Sequence, residues 1–286
     1  PALYSFTIDT HGTVTGDVQF ANDPITLEIT KMNTYTGAPM AGITFTLQDS
    51  DGKAVKTKLT EDGYRIPADD GTETFVTDAN GKAVFKYLKA GKYKLVEAVP
   101  VGYIADGITE IELTDHHSES TPCKVTVNNC PTGIKIIKVD AKTEKPLTGA
   151  GFTIKVKDGI GFETLTFTKQ VDGKYFFDEK GTVMDLMVDK NGEVVILGLP
   201  MGAIWIEESV VPTGYFPVTA RKAEITKETS AVKPIEIKVP NDRSVKLGMD
   251  NDWWELPALI AGAVLLLGGA AFLVIKRRKK LRGSEE

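Results

Sequence analysis

Over the first 240 residues, apolar and polar side chains alternate in short runs broken by Gly, Asn and Asp, and few helical patterns occur. Alternation at every second position is the mark of a half-buried strand, so the pattern predicts a mostly β chain. Several runs end their inward register on a polar group. Leu27 and Ile29 are followed on the same face by Lys31, Tyr93 and Leu95 by Glu97, and Val125 and Val127 by Asn129. A charge at the end of a buried register is costly unless it is paired or neutralised. For one strand alone, a twist outward to solvent would account for the lysine.

The pattern occurs twice. ITKMNTYTGAPMAGITFTL (29–47) aligns without gaps to IIKVDAKTEKPLTGAGFTI (136–154), which sets Lys31 on Lys138. VTDANGKAVFKYLKAGKYKLVE (76–97) aligns to MVDKNGEVVILGLPMGAIWIEE (187–208), and its DANG and DKNG segments predict hairpin turns. Ile204, Ile206 and Glu208 repeat the glutamate register, and Ile237, Val239 and Asn241 the asparagine register. Each glutamate strand runs into a Pro-x-Gly-Tyr turn, at 100–103 and 212–215. Val18, Phe20 and Asn22 show the same ending, and Asn22 precedes Lys31 by nine residues, as Asn129 precedes Lys138. Residues 1–23 therefore read as the tail of an earlier copy, 24–130 as one repeat and 131–242 as another.

Composition narrows the classes. A net charge of −5 argues against nucleic acid as a partner. Cys123 and Cys130 bracket a predicted strand that would hold them about 23 Å apart, beyond the roughly 7 Å a disulfide spans. His11, His116 and His117 lack companions at metal spacing, and DANG and DKNG lack the ligand spacing of an EF-hand, so no metal is expected. There is no Gly-x-Ser-x-Gly, no Cys/His pair and no cofactor fingerprint, so no cofactor and no turnover enzyme is expected.

The C-terminal stretch is of another kind. LPALIAGAVLLLGGAAFLVI (256–275) carries no charge and has the length of a membrane-spanning helix. Trp253 and Trp254 precede it and KRRKKLR follows it, which predicts a cytoplasmic tail at 276–286, a juxtamembrane linker at 243–255 and residues 1–252 outside the cell. The chain starts at Pro1 without a signal peptide, as a mature form or a fragment would.

Lys, Glu and Asn brought together in an apolar core can react. Burial lowers the pKa of an amine and raises that of a nearby carboxyl. A neutral lysine can attack the asparagine side-chain carbon while the glutamic acid shuttles protons, and ammonia leaves behind an isopeptide bond. The non-reacting alternative is a hydrogen-bonded polar cluster. The run of Lys138, Asp140, Pro146, Leu147, Gly149, Ala150 and Phe152, then Gly-x-Tyr-x-Leu-x-Glu at 91–97 near Pro-x-Gly-Tyr, then Val-x-Asn at 127–129, resembles the collagen-adhesin B-type domain, also called SpaA-like or prealbumin-like. That resemblance implies tandem Greek-key β-sandwiches of Gram-positive surface proteins and pilins, each with an isopeptide bond between its first and last strands. It implies two triads, Lys31–Glu97–Asn129 and Lys138–Glu208–Asn241. The first repeat departs from the pattern in having Asn33 where the second has Asp140, and Asn128 stands beside Asn129.

The expectation is thus an all-β chain of tandem sandwiches followed by one C-terminal transmembrane helix, serving as a cell-surface stalk that presents an N-terminal head. The alternative is an adhesive module whose repeats contact a host matrix protein or a pilin partner, with GYRIP (63–67) and KYFF (174–177) as candidate aromatic contacts. Neither a Leu-Pro-x-Thr-Gly sorting motif nor a Tyr-Pro-Lys pilin motif occurs, so anchoring falls to the membrane helix.

Overall fold

A computed structural model of the chain describes residues 7–8, 10, 14–15 and 23–244. The apolar stretch 256–275 and the positions Val18, Phe20 and Asn22 lie outside the described residues, within which no helix is long and apolar enough to cross a membrane. Every regular element described is a strand.

Residues 24–131 form a two-sheet sandwich. Thr26–Asn33, the opening strand, is central in the larger sheet, between Lys82–Lys86 and the closing strand Cys123–Pro131. The opening and closing strands run parallel, with Leu27 opposite Cys123 and Lys31 opposite Val127. The smaller sheet orders Thr109–Leu113, Gly91–Glu97, Thr44–Gln48 and Thr74–Val76. Between the sheets lie the alternate residues Leu27, Ile29, Phe45, Leu47, Phe85 and Leu95, all essentially without exposure. The second unit repeats the plan. Gly133–Asp140 opens it and pairs in parallel with the closing strand Ile235–Asn241. Gly151–Asp158 and Gly202–Val210 face them over a core of Ile134, Ile136, Phe152, Ile154, Phe167 and Ile206.

The DANG and DKNG segments are not hairpin turns. Thr74–Val76 belongs to the smaller sheet, whereas Lys82–Lys86 pairs with the opening strand in the larger one. Leu186–Met187 and Glu193–Leu197 divide in the same way. The turn is a corner that carries the chain across the sandwich. Asp78 Oδ1 accepts the N–H groups of Asn80 (2.9 Å) and Lys82 (2.7 Å), and Asp189 Oδ1 those of Asn191 (2.8 Å) and Glu193 (2.9 Å). Turn chemistry dictates a reversal of direction and is silent about which strands then pair.

One residue, Thr132, separates the two units, and its polar groups are all bound. Its N–H donates to Gly102 O (2.9 Å), its Oγ1 to Leu199 O (2.7 Å), and its carbonyl accepts from Gly198 N–H (2.9 Å). The KYFF segment, within and beside the strand Tyr175–Phe177, sits at this junction. Phe176 lies 6.1 Å from the Tyr103 ring, and Lys174 Nζ stands 5.2 Å from that of Tyr35. GYRIP is likewise part of a strand, Arg65–Pro67, with its approach. Gly102 has φ +81°, and a Cβ there would overlap the Gly198 carbonyl. Gly102→Ala is expected to cost about 1–3 kcal/mol and to lower the melting temperature by roughly 3–10 °C in calorimetry.

Candidate functional site

Each lysine sits where its strand leaves the antiparallel ladder. The opening strand pairs with Lys82–Lys86 only as far as Thr30, and the N–H of Lys31 donates instead to Gly81 O (2.7 Å) of the corner turn. In the second unit the ladder stops at Ile137, and Lys138 N–H donates to Gly192 O (2.8 Å). Gly81 (φ +69°) and Gly192 (φ +71°) are bound to be glycine twice over. A Cβ would lie 2.7 Å from Lys31 O in one and 2.8 Å from Lys138 O in the other. Either glycine changed to alanine is expected to shift the lysine backbone and destabilise that unit by about 1–3 kcal/mol, read as a lower denaturant midpoint at constant slope.

The six residues singled out in the sequence come together as two clusters. Lys31 is fully buried. Its Nζ donates to Glu97 Oε2 at 2.7 Å and to Asn129 Oδ1 at 2.5 Å, while Asn129 Nδ2 donates to Glu97 Oε1 at 2.6 Å. Lys138 Nζ donates to Asn241 Oδ1 and lies 2.8 Å from Glu208 Oε1, and Asn241 Nδ2 reaches both Glu208 oxygens at 2.9 and 3.0 Å. Both lysines, both asparagines and the Glu208 side chain have no exposure, and that of Glu97 has 2%. Register selects Asn129 over Asn128. Asn129 stands opposite Asn33 and points inward, while Asn128, one residue back, alternates to a partly exposed position.

The clusters are apolar around their polar centre. Phe45 places its ring 5.8 Å from Lys31 Nζ, and Phe152 its ring 5.7 Å from Lys138 Nζ. Burial pushes both amines below their ordinary pKa, against the raising pull of Glu97 and Glu208 respectively. The amine and amide of each cluster are thus in contact, with a carboxyl touching both. The two Phe rings and the two glycine carbonyls are parts of the site beyond the six residues that the strand registers single out. Their signal was present, since Phe45 aligns with Phe152 and Gly81 with Gly192 in the repeat.

Nothing in the described residues groups three or more potential metal ligands. Cys123 and Cys130 are free thiols on one extended strand, and His117 Nδ1 accepts the Thr114 N–H at 3.0 Å within a loop.

No curated protein matches the chain. Among solved structures, that of a streptococcal ancillary pilin is 23% identical over 79% of this chain, with a TM-score of 0.37. The chain spans 64% of that protein's length. The shaft pilin SpaA of Lactobacillus rhamnosus GG is 18% identical over 78% of this chain and 99% of its own, with a TM-score of 0.41. GBS52, the minor pilin of Streptococcus agalactiae, is 16% identical over 79% of this chain and 100% of its own, at 0.33. The SpaA prealbumin-like fold domain family matches residues 25–129 and again residues 132–253. The chain belongs to the SpaA prealbumin-like fold domain family, with two copies of the domain in tandem.

Proposed function

We propose that the chain is a section of a cell-surface stalk of the Gram-positive type, whose sandwiches are each closed by a self-made bond between lysine and asparagine. The observation that carries this reading is the duplicated cluster, in which a buried lysine touches both an asparagine carboxamide and a glutamate on separate strands. The chemistry balances. The neutral Nζ attacks Cγ of the asparagine, and a C–N bond forms. The proton lost by Nζ passes through the glutamate carboxyl to the departing nitrogen. The old amide C–N bond breaks and one ammonia leaves. Each cluster reacts once, which is maturation of the protein itself. In this reading the stalk stands outside the cell on the apolar segment 256–275, presents a head from its N-terminal side, and takes other pilin subunits as partners.

A second reading, in which the repeats bind a host matrix protein directly, draws on one exposed feature. The hairpin of Gly151–Asp158 and Gly161–Thr164 shows Ile160 and Phe162 to solvent, with Phe162 edge-on to Trp205 at 4.8 Å.

Intact mass of the full chain under denaturing conditions separates the two. A mass two ammonias below that of the sequence supports the crosslinked stalk. The full sequence mass refutes the crosslinks and leaves the exposed hairpin as the better lead.

A further inference from the structure

Both units bond the asparagine carbonyl of the closing strand to the backbone just past the opening strand, Thr34 N–H to Asn129 O in the first (2.9 Å), but they differ in the side chains that hold the exit. In the second, Asn241 stands opposite Asp140 in the parallel ladder, and the Ala141 N–H donates to Asn241 O at 2.9 Å. Two residues on, Arg243 Nε donates to Asp140 Oδ2 at 2.6 Å. Tyr215 OH, from the Pro-x-Gly-Tyr turn, donates to the same oxygen at 2.9 Å. Asp140 Oδ1 accepts the N–H groups of Lys142 (3.0 Å) and Thr143 (2.8 Å). The turn also bonds the exit directly, through Phe216 N–H to Asp242 O at 2.9 Å. The Asp140 side chain is 2% exposed, and the Arg243 guanidinium beside it holds its carboxyl well below the usual carboxylate range. One buried carboxylate therefore ties together the end of the opening strand, the turn and the chain just past the asparagine.

The first unit has no such tie. Asn33 keeps only the backbone half, accepting Tyr35 and Thr36 N–H at 3.0 and 3.2 Å. Pro131 stands where the second unit has Arg243, and Tyr103 turns to Phe176. Its exit is held instead by the strand Tyr103–Ala105, which pairs antiparallel with Asn129–Pro131, and by the next sandwich, through Ala231 N–H to Pro131 O (2.8 Å) and the bonds of Thr132.

We infer that Asp140, Tyr215 and Arg243 are positioning residues, a clamp that keeps Asn241 in register against Lys138 while the second crosslink forms. The inference rests on the crosslinking reading above for its chemistry. Strand ends fray, and acyl transfer needs the reacting atoms held at near-contact. A strand pinned two residues past the acceptor cannot slide or peel at that end.

The test uses the full chain made by cell-free synthesis, sampled over time and digested, with the mass of the Lys138–Asn241 cross-linked peptide followed. Arg243→Ala and Asp140→Asn should each slow closure of the second unit about tenfold, the factor for one lost charge-assisted hydrogen bond. The first unit should close at its wild-type rate, and Arg243→Lys should recover part of the loss. Wild-type closure of the second unit in both variants would overturn the clamp. Wild-type chain that loses no ammonia would refute the crosslink instead, and the clamp is then decided by hydrogen exchange in the Lys138→Ala background. There, adding Arg243→Ala should reduce protection of the Val239 and Asn241 amides about tenfold, and unchanged protection would overturn it.

Discussion

Lys31→Ala is expected to raise the intact mass by the weight of one ammonia, after correction for the substitution itself, and to cost the first sandwich about 4–5 kcal/mol. The energy comes from the loop. A bond from Lys31 to Asn129 joins positions 98 residues apart, and the chain-entropy account of crosslinks assigns a loop of that size nearly 5 kcal/mol. The truncated side chain adds a cavity beside Phe45, so the loss should not fall short of that range. Lys138→Ala should do the same in the second unit, where the span is 103 residues. The two effects should add, because the clusters share no partner. Denaturant titration of each variant and of the double variant measures this. A cluster that never reacts gives another result. Neither substitution would then change the mass beyond its own residue difference.

Glu208→Ala carries the second large effect. The carboxyl touches both the amine and the amide, so its removal takes away the only acid among the described residues in contact with the reacting groups. The second crosslink should fail to form, leaving a mass deficit of one ammonia in place of two. The unreacted amine would remain fully buried with no counter-ion. Removing one partner of a buried pair costs about 3–5 kcal/mol, on top of the lost loop closure. Glu208→Gln fills the same volume yet cannot shuttle a proton, so it too should block the bond with a smaller packing loss. The bond forming normally in Glu208→Gln would show that the carboxyl is dispensable, and the proton route given above would be wrong.

How much of this was legible in the sequence depends on what each signal encodes. The alternation at Leu27, Ile29, Lys31 and its repeat at Ile134, Ile136, Lys138 encodes which way side chains point, and the structure places those residues inside. The inward glutamates and asparagines were readable for the same reason, and register alone distinguished Asn129 from Asn128. Strand partnership was not readable. DANG and DKNG read as hairpins because a turn signal reports a local reversal, whereas the choice between two facing sheets is made by tertiary packing. The junction is illegible for a similar reason. Thr132 is an ordinary residue in sequence, and its role comes from carbonyls of Gly102 and Leu199, about 30 and 67 positions away. The departure at Asn33 looked like a defect in the pattern. In space it marks the unit whose closing strand is held by the strand Tyr103–Ala105 and a following sandwich instead of by an Arg243 clamp.

The parallel pairing of opening and closing strands has a consequence for length under tension. Pulled from its two ends, an uncrosslinked sandwich can pay out the whole chain between Lys31 and Asn129, about 300–350 Å at full extension. With both bonds in place, the covalent route from Thr26 to Asn241 runs along 26–31, crosses to 129, follows 129–138 and crosses again to 241. That route is only about 50 Å of backbone. The remaining residues hang beside it as closed loops that feel no tension. Such a tether would be nearly inextensible, and a shock would reach its anchor at full strength instead of being dissipated by unfolding.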